Sequence, residues 1–501
     1  MLKINRRDVV KLGFIAGGSL LLPIALQLRS QAQNAGSPRV TPFSVPFRVP
    51  PVLNPVRSDS TTDYYEITIK KANLEILPGL QTQIWGYNGI APGPTIKQHV
   101  SRRSVIRFIN DVGTNTVVHL HGMPSLPQYD GYAEDFIPHG YYKDYIYPNN
   151  RIAATLWYHD HTVMVTAQQA YMGLAGMYIL QDDLELGLPL PKGEYDVPLF
   201  LSDKIFASDG SLVFNDQNRN KLMGDVITVN GVPWPRMEVA NCKYRFRMLN
   251  GSVSRSYKPS LNTGDDLIMI ATDGGLLSAP VRVKNFRLGM GERYEFIIDF
   301  SQYPIGTSVI LQNESLPNND DYDNTDKIMR FDVVRSVVDN SSIPNQMRNI
   351  PSVSQLVAQA VRTREWHYDK FSGVWVINGK EWDKDRVDAN PRLGEYEIWS
   401  LNNVHQDWFH TIHIHLIDCL IIDRNRQAAF PYERGWKDVF YVGENENVRV
   451  VGKFDPNKGK YMTHCHNLVH EDHDMMTQLE VDQGGISPFA APAQLLPAPP
   501  L

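Results

Sequence analysis

Four histidine pairs, each split by one residue, mark this chain: His119 and His121 in HLH, His159 and His161 in HDH, His413 and His415 in HIH, and His464 and His466 in HCH. For 15 histidines in 501 residues, composition alone predicts roughly 0.5 such triplets by chance. Residues two apart on a strand project from the same face, so each pair offers two imidazoles side by side, which is a chelating geometry. Eight neutral imidazoles suit copper, and less readily zinc.

The last pair lies in the stretch YMTHCHNLVHEDHDMM, Tyr461 to Met476, and it points to a second site. Strand alternation turns Cys465 away from His464 and His466, so three consecutive residues serve two centres. A thiolate, two imidazoles and a distant thioether form the ligand set of a blue-copper electron-transfer centre. His410 precedes the third pair in HTIHIH, while His470 and Met475 follow Cys465, so the expected set is His410, Cys465, His470 and axial Met475. A structural zinc site draws on several cysteines, and here there is one. Electrons taken singly at Cys465 and passed through His464 and His466 to a polynuclear site suit a four-electron acceptor such as O2. His99, His139, His367, His405 and His473 are expected to be ordinary hydrogen-bonded residues.

Short alternating runs must position these groups: YYEITI from 64, SVIRFIN from 104, KYRFRML from 243, RYEFIIDF from 293 and EYEIWSL from 395. They indicate an all-β chain with many turns. A weak repeat is visible in YNG at 87, VNG at 229 and ING at 377, each followed by a strand ending in Asn110, Asn250 or Asn402. The predicted organisation is an export signal over 1–32, β domains over 33–190, 191–350 and 351–483, and a flexible Pro/Ala-rich tail over 484–501. No histidine falls between His161 and His367, so the middle domain supplies no imidazole and the chemistry belongs to the first and third.

Composition removes other classes. The net charge of -6, with no lysine or arginine run, excludes a nucleic-acid footprint. Three cysteines cannot form a disulfide framework; Cys242 and Cys419 are expected as buried thiols. The N-terminal INRRDVVKLGFIAGGSLLLPIALQLRSQA resembles a twin-arginine export signal, the alternative being an uncleaved anchor over Leu12 to Leu28. No other stretch could span a membrane. There is no nucleophile elbow, phosphate-cradling glycine loop or thiol redox pair, and no organic cofactor is expected.

Four motifs, H-x-H-G at 119, W-Y-H-x-H at 157, H-x-x-H-x-H at 410 and H-C-H-x-x-x-H-x-x-x-x-M at 464, resemble those of the multicopper oxidases, in order and across all three domains. Within that family, HTIHIHLID, FPYERGWKD and HCHNLVHEDHDMM look most like the bilirubin oxidase and spore-coat laccase branch. The resemblance implies three consecutive cupredoxin-like Greek-key domains and four copper ions, one type 1, one type 2 and two type 3. It implies that His119 and His413 bind type 2 copper, that His161, His415 and His464 bind one type 3 copper, and that His121, His159 and His466 bind the other. It implies that Asp130 and Glu471 relay protons to oxygen, alongside the catalytic Cys465, His464 and His466, and it places Trp408 near the type 1 site. The implied activity is oxidation of phenols, arylamines or bilins at an exposed edge of His470, coupled to reduction of O2 to water. Oxidation of Cu(I) or Mn(II) is the alternative, and a non-catalytic scaffold a lesser one. The expected protein is a periplasmic or extracellular monomer, exported by the twin-arginine machinery, with aromatic reductants and O2 as partners and membrane contact only through its signal.

Overall fold

The computed structural model describes residues 36–404 and 408–501; the expected export signal over 1–32 and His405 lie outside them. Each of the three domains packs a larger sheet on a four-stranded one. In the first, the strands Thr62–Leu74, Arg103–Asp111 and Tyr141–Tyr147 belong to a six-stranded sheet. Facing it is a sheet ordered Gly93–His99, Ala175–Gln181, Ala154–Asp160, Val118–His121. Tyr65, Ile67, Ile106 and Phe108 from one sheet meet Leu156, Tyr158, Tyr178 and Leu180 from the other in a buried core. The middle domain pairs sheets of seven and four strands. The third pairs a five-stranded sheet with one ordered Val439–Val442, His410–Ile414, Gly459–Cys465, Met476–Val481.

The threefold repeat is built into the backbone. All three Asn-Gly turns place both residues at positive φ: Asn88 at 55° and Gly89 at 72°, Asn230 at 52° and Gly231 at 75°, Asn378 at 53° and Gly379 at 72°. That is the type I′ requirement, which asparagine and glycine meet at least cost. The strand-ending asparagine recurs as well. Asn110 pairs in parallel with Ile69, Asn250 with Leu201 and Asn403 with Tyr368. Each sends its side-chain amide to two carbonyls of the following loops: Asn110 to Thr114 and Ile137, Asn250 to Arg255 and Leu288, Asn403 to Trp408 and Gly443. The third member is therefore Asn403 and not Asn402, whose amide instead bonds Glu365.

Two segments depart from the expected division. Residues just after 36 lie on the middle domain: Phe43 N–H donates to Trp234 O at 2.8 Å and Phe47 N–H to Arg236 O at 2.7 Å, while Val40, Phe43 and Phe47 pack on that domain's core. The tail over 484–501, expected to extend freely, is laid on the first domain. Gln494–Leu495 pairs antiparallel with Tyr141 and Tyr142, and Leu496 N–H donates to Gly140 O at 3.1 Å. The strand Tyr141–Tyr147 would otherwise be an open edge with unpaired backbone groups, which a short QLL segment can cover; the flanking prolines hid it.

Candidate copper centres

Two hairpin-like ladders bring the pairs together. His119 faces His159 across the first domain's smaller sheet, and His413 faces His464 across the third's. His161, His415 and His466 each sit one residue past a strand end. All eight paired histidines are at most 1% exposed. Their ring nitrogens converge in three overlapping triads: His119, His121 and His413; His121, His159 and His466; and His161, His415 and His464, with ligand atoms within 4.8 Å in each.

On four of the rings the nitrogens divide between an outward donor and an inward acceptor. His413 Nδ1 donates to the Asp438 carbonyl at 2.8 Å, His159 Nδ1 to the Asp160 carbonyl at 2.8 Å, His415 Nδ1 to Asp130 Oδ2 at 2.8 Å, and His119 Nδ1 to the Asp130 carbonyl. Such bonds fix the tautomer and leave Nε2 with a lone pair. His415 Nε2 lies 3.1 Å and His161 Nε2 3.2 Å from His464 Nε2, and His119 Nε2 lies 3.4 Å from His413 Nε2. Around the remaining triad, His121 Nδ1, His159 Nε2 and both nitrogens of His466 are buried with no hydrogen-bond partner. Lone pairs this close repel one another unless a cation lies between them, so the donor set fits metal. Burial, reinforced by neighbouring imidazoles, holds His159 down to about 3 and His161 to about 4, keeping both neutral.

Asp130 and Glu471 both reach this cluster. Asp130 sits with His119 and His415, and burial pushes its carboxyl well above the usual range. Glu471 lies 2.9 Å from His464 Nδ1 and 3.6 Å from His161 Nε2. Burial alone would raise it, but His464 and His161 hold it at about 2. One carboxyl is thus biased towards the acid and the other towards the base.

Sequence reasoning missed Asp438. Its Oδ1 accepts from His121 Nε2 at 3.0 Å, and Arg293 of the middle domain grips the same carboxylate through both terminal nitrogens, at 2.5 and 2.6 Å. Arg293 also donates to the Thr155 carbonyl at 3.0 Å, and Lys437 bonds Asp273 at 2.8 Å in the same buried group. The middle domain contributes no imidazole, yet it supplies this brace and Gly291, where a side chain would come within 2.8 Å of the His466 ring. FPYERGWKD contains Asp438, but nothing in that run marks the residue as a partner of His121.

On the opposite face, Cys465 Sγ lies 3.5 Å from His410 Nδ1 and 3.7 Å from His470 Nδ1, which are 3.2 Å apart. Burial pushes the thiol up to about 12, so a metal cation must accompany its ionisation. Asn467 N–H donates to the sulfur at 3.4 Å. Met475 is buried beside this group, its carbonyl accepting from Cys465 N–H and its N–H donating to His470 O, both at 3.0 Å. The single helical turn Leu468–Glu471 sends His470 to the cysteine site and Glu471 to the histidine cluster.

The exposed His470 edge expected from sequence is not there. His470 is 0% exposed. Its Nε2 donates to the Asn220 carbonyl at 2.8 Å, and Trp375 stacks on it with ring centres 3.8 Å apart. Trp408 lies 5.7 Å from His470 and is 7% exposed. Of the histidines set aside, His99 contacts Asp183, His139 is 4.0 Å from Asp111, and His473 bonds the Val469 carbonyl; none of these three, nor His367, enters a metal-like cluster among the described residues.

A fold of three such domains, with imidazoles gathered between the first and third and a cysteine site beside them, is that of a copper oxidoreductase, and the chain belongs to the multicopper oxidase family. Three family models described as multicopper oxidase match residues 68–185, 200–330 and 348–485. The chain is 40% identical to the bilirubin oxidase of Albifimbria verrucaria over 469 residues, covering 88% of this chain and 81% of that one. It is 35% identical to the laccase of Bacillus subtilis (strain 168) over 500 residues, covering 86% and 97%. The crystal structure of a laccase from Pediococcus acidilactici superposes with a TM-score of 0.82 at 30% identity, over 90% of this chain and 95% of that one.

Proposed function

We propose that this oxidoreductase takes single electrons from phenols, arylamines or bilins at the Cys465 site and uses four of them, with four protons, to reduce O2 to two waters at the histidine cluster. Copper held there, one type 1 ion at His410, Cys465, His470 and Met475, one type 2 ion at His119 and His413, and two type 3 ions at the remaining triads, would supply the one-electron chemistry. The observation that carries this reading is the shared strand: Cys465 belongs to one site while its neighbours His464 and His466 belong to the other. The backbone between them links the two centres covalently. Asn220 and Trp375 keep water from His470. Asp130 and Glu471, differently poised, hold protons at His415 and His464 for delivery to oxygen. The paired arginines Arg6 and Arg7 support export through the twin-arginine pathway to the periplasm or beyond; no helix among the described residues is long and apolar enough to cross a membrane.

Cys465→Ser tests the reading. Serine is close in size, so the strand should persist while the soft thiolate is lost. The expected product is folded, lacks the blue absorption band, retains about three coppers on the family pattern, and no longer couples aromatic oxidation to O2 uptake. A blue variant with steady turnover would remove Cys465 from the electron path.

A further inference from the structure

Above the buried His470 the protein places cations. Lys370 Nζ lies 4.6 Å from the centre of the Trp375 ring, and Lys221 Nζ lies 5.6 Å from that of Trp408. The Arg219 carbonyl accepts from Trp375 Nε1 at 2.5 Å, and its side chain is exposed. Among the described residues, the acids nearby do not balance these evenly. Asp320 pairs with Lys221, and Asp474 lies within electrostatic reach of Arg219. Lys370 instead donates to the neutral side-chain amide of Asn220, the residue whose carbonyl caps His470. Burial and the charge of Arg219 both press its ammonium below the usual lysine range. A half-buried cation beside another cation gains more from an incoming anion than a fully hydrated one does.

Trp375 is 1% exposed, so a donor cannot lie on its face and meets the cover above it. Resting on the oxidase reading proposed above, we infer that Lys370 is a specificity-determining residue that docks the electron donor, favouring aromatic donors that carry a carboxylate or sulfonate. Each phenolic donor bound there loses one electron to the Cys465 site and one proton to solvent. The Trp375 ring, stacked on His470, lies between the docked donor and that site. The ammonium draws in the anionic group while the donor's own ring lies near Trp408.

The test compares 4-hydroxy-3,5-dimethoxybenzoate with its methyl ester, one phenol with and without a negative charge, using the copper-loaded protein. Lys370→Gln should lower the ratio of kcat/KM for the acid to that for the ester by roughly two- to fivefold, the scale of one partly exposed charge contact, with the change carried by KM and reduced at high salt. Lys370→Arg should restore the ratio, and Lys284→Gln, a distant change of equal charge, should not move it. Calorimetric titration with 2-naphthalenesulfonate, which is not oxidised, should show weaker binding to Lys370→Gln in parallel. An unaltered ratio together with unaltered sulfonate binding overturns the inference. Failure of the oxidase reading is distinguishable: the unsubstituted protein would consume no O2 with either phenol, while the sulfonate titration still reports on docking.

Discussion

Asp438 Oδ1 lies 3.0 Å from His121 Nε2, and the same aspartate's backbone carbonyl takes a hydrogen bond from His413 Nδ1. One residue therefore orients two imidazoles from different domains. Arg293 holds its carboxylate at about 2, against the opposing effect of burial. The sum of these contacts is a brace tying all three domains to the cluster.

Asp438→Asn keeps the size and an acceptor oxygen but removes the charge facing Arg293. Removing one partner of a buried ion pair costs about 3–5 kcal/mol, and loss of a carboxylate that orients a metal-binding histidine weakens metal affinity by roughly 10- to 100-fold. The variant should unfold at lower temperature and, after dialysis against a mild chelator, hold fewer coppers while keeping its blue band. Thermal unfolding and copper counting check both parts; normal values for both would mean that Asp438 neither braces nor orients.

The pattern of the site was legible in sequence because strand geometry has period two. HLH, HDH, HIH and HCH give their chelating faces directly, and the opposite orientation of Cys465 follows from the same rule. The Asn-Gly turns were legible because only a few residues tolerate paired positive φ. What could not be read depends on approach in space. Asp438 looks like any polar residue just ahead of a strand until Arg293, 145 residues earlier, is brought onto it. Trp375 in GVWVING has the appearance of a core aromatic, and Asn220 in DQNRN of a turn residue, yet together they close the edge of His470. Asn402 and Asn403 differ by one residue, and only the parallel register with Tyr368 tells which one repeats Asn110. The tail's prolines concealed the QLL segment because composition does not reveal an unpaired edge elsewhere in the fold.

Asp130 and Glu471 should affect turnover more than metal content, because Asp130→Asn and Glu471→Gln each keep an oxygen that accepts from His415 Nδ1 or His464 Nδ1 and, unlike Asp438→Asn, leave no buried guanidinium without its carboxylate. Asp130→Asn and Glu471→Gln preserve shape and remove the exchangeable proton. Loss of a positioned general acid or base costs roughly 10²- to 10⁴-fold in rate. Steady-state O2 uptake should fall by that order in each variant, with copper content and the blue band retained. If both variants turn over at the normal rate, the two carboxyls are structural, and protons reach the cluster through other groups.

Acid should destabilise the copper-free protein more than the loaded one. Seven cluster histidines, His119, His121, His159, His161, His413, His415 and His466, have folded-state values below 6.5, with His159 at about 3 and His161 at about 4. Between pH 6.5 and those values the unfolded chain binds protons that the fold does not, so the stability present above pH 6.5 is lost as pH falls. Glu471, held at about 2, acts in the same direction below the ordinary carboxylate range, whereas Asp130, Asp160 and Asp472, all raised by burial, oppose it. Each unit of displacement is worth about 1.4 kcal/mol, so two histidines alone contribute on the order of several kcal/mol. Bound copper competes with protons for the same nitrogens and moves the loss to lower pH. Chelator-stripped protein should therefore lose melting temperature steadily from pH 6.5 to 4, with the loaded protein nearly level over the upper part of that range. Parallel, equally steep profiles for the two forms would show that these histidines do not stay neutral in the folded apo-protein.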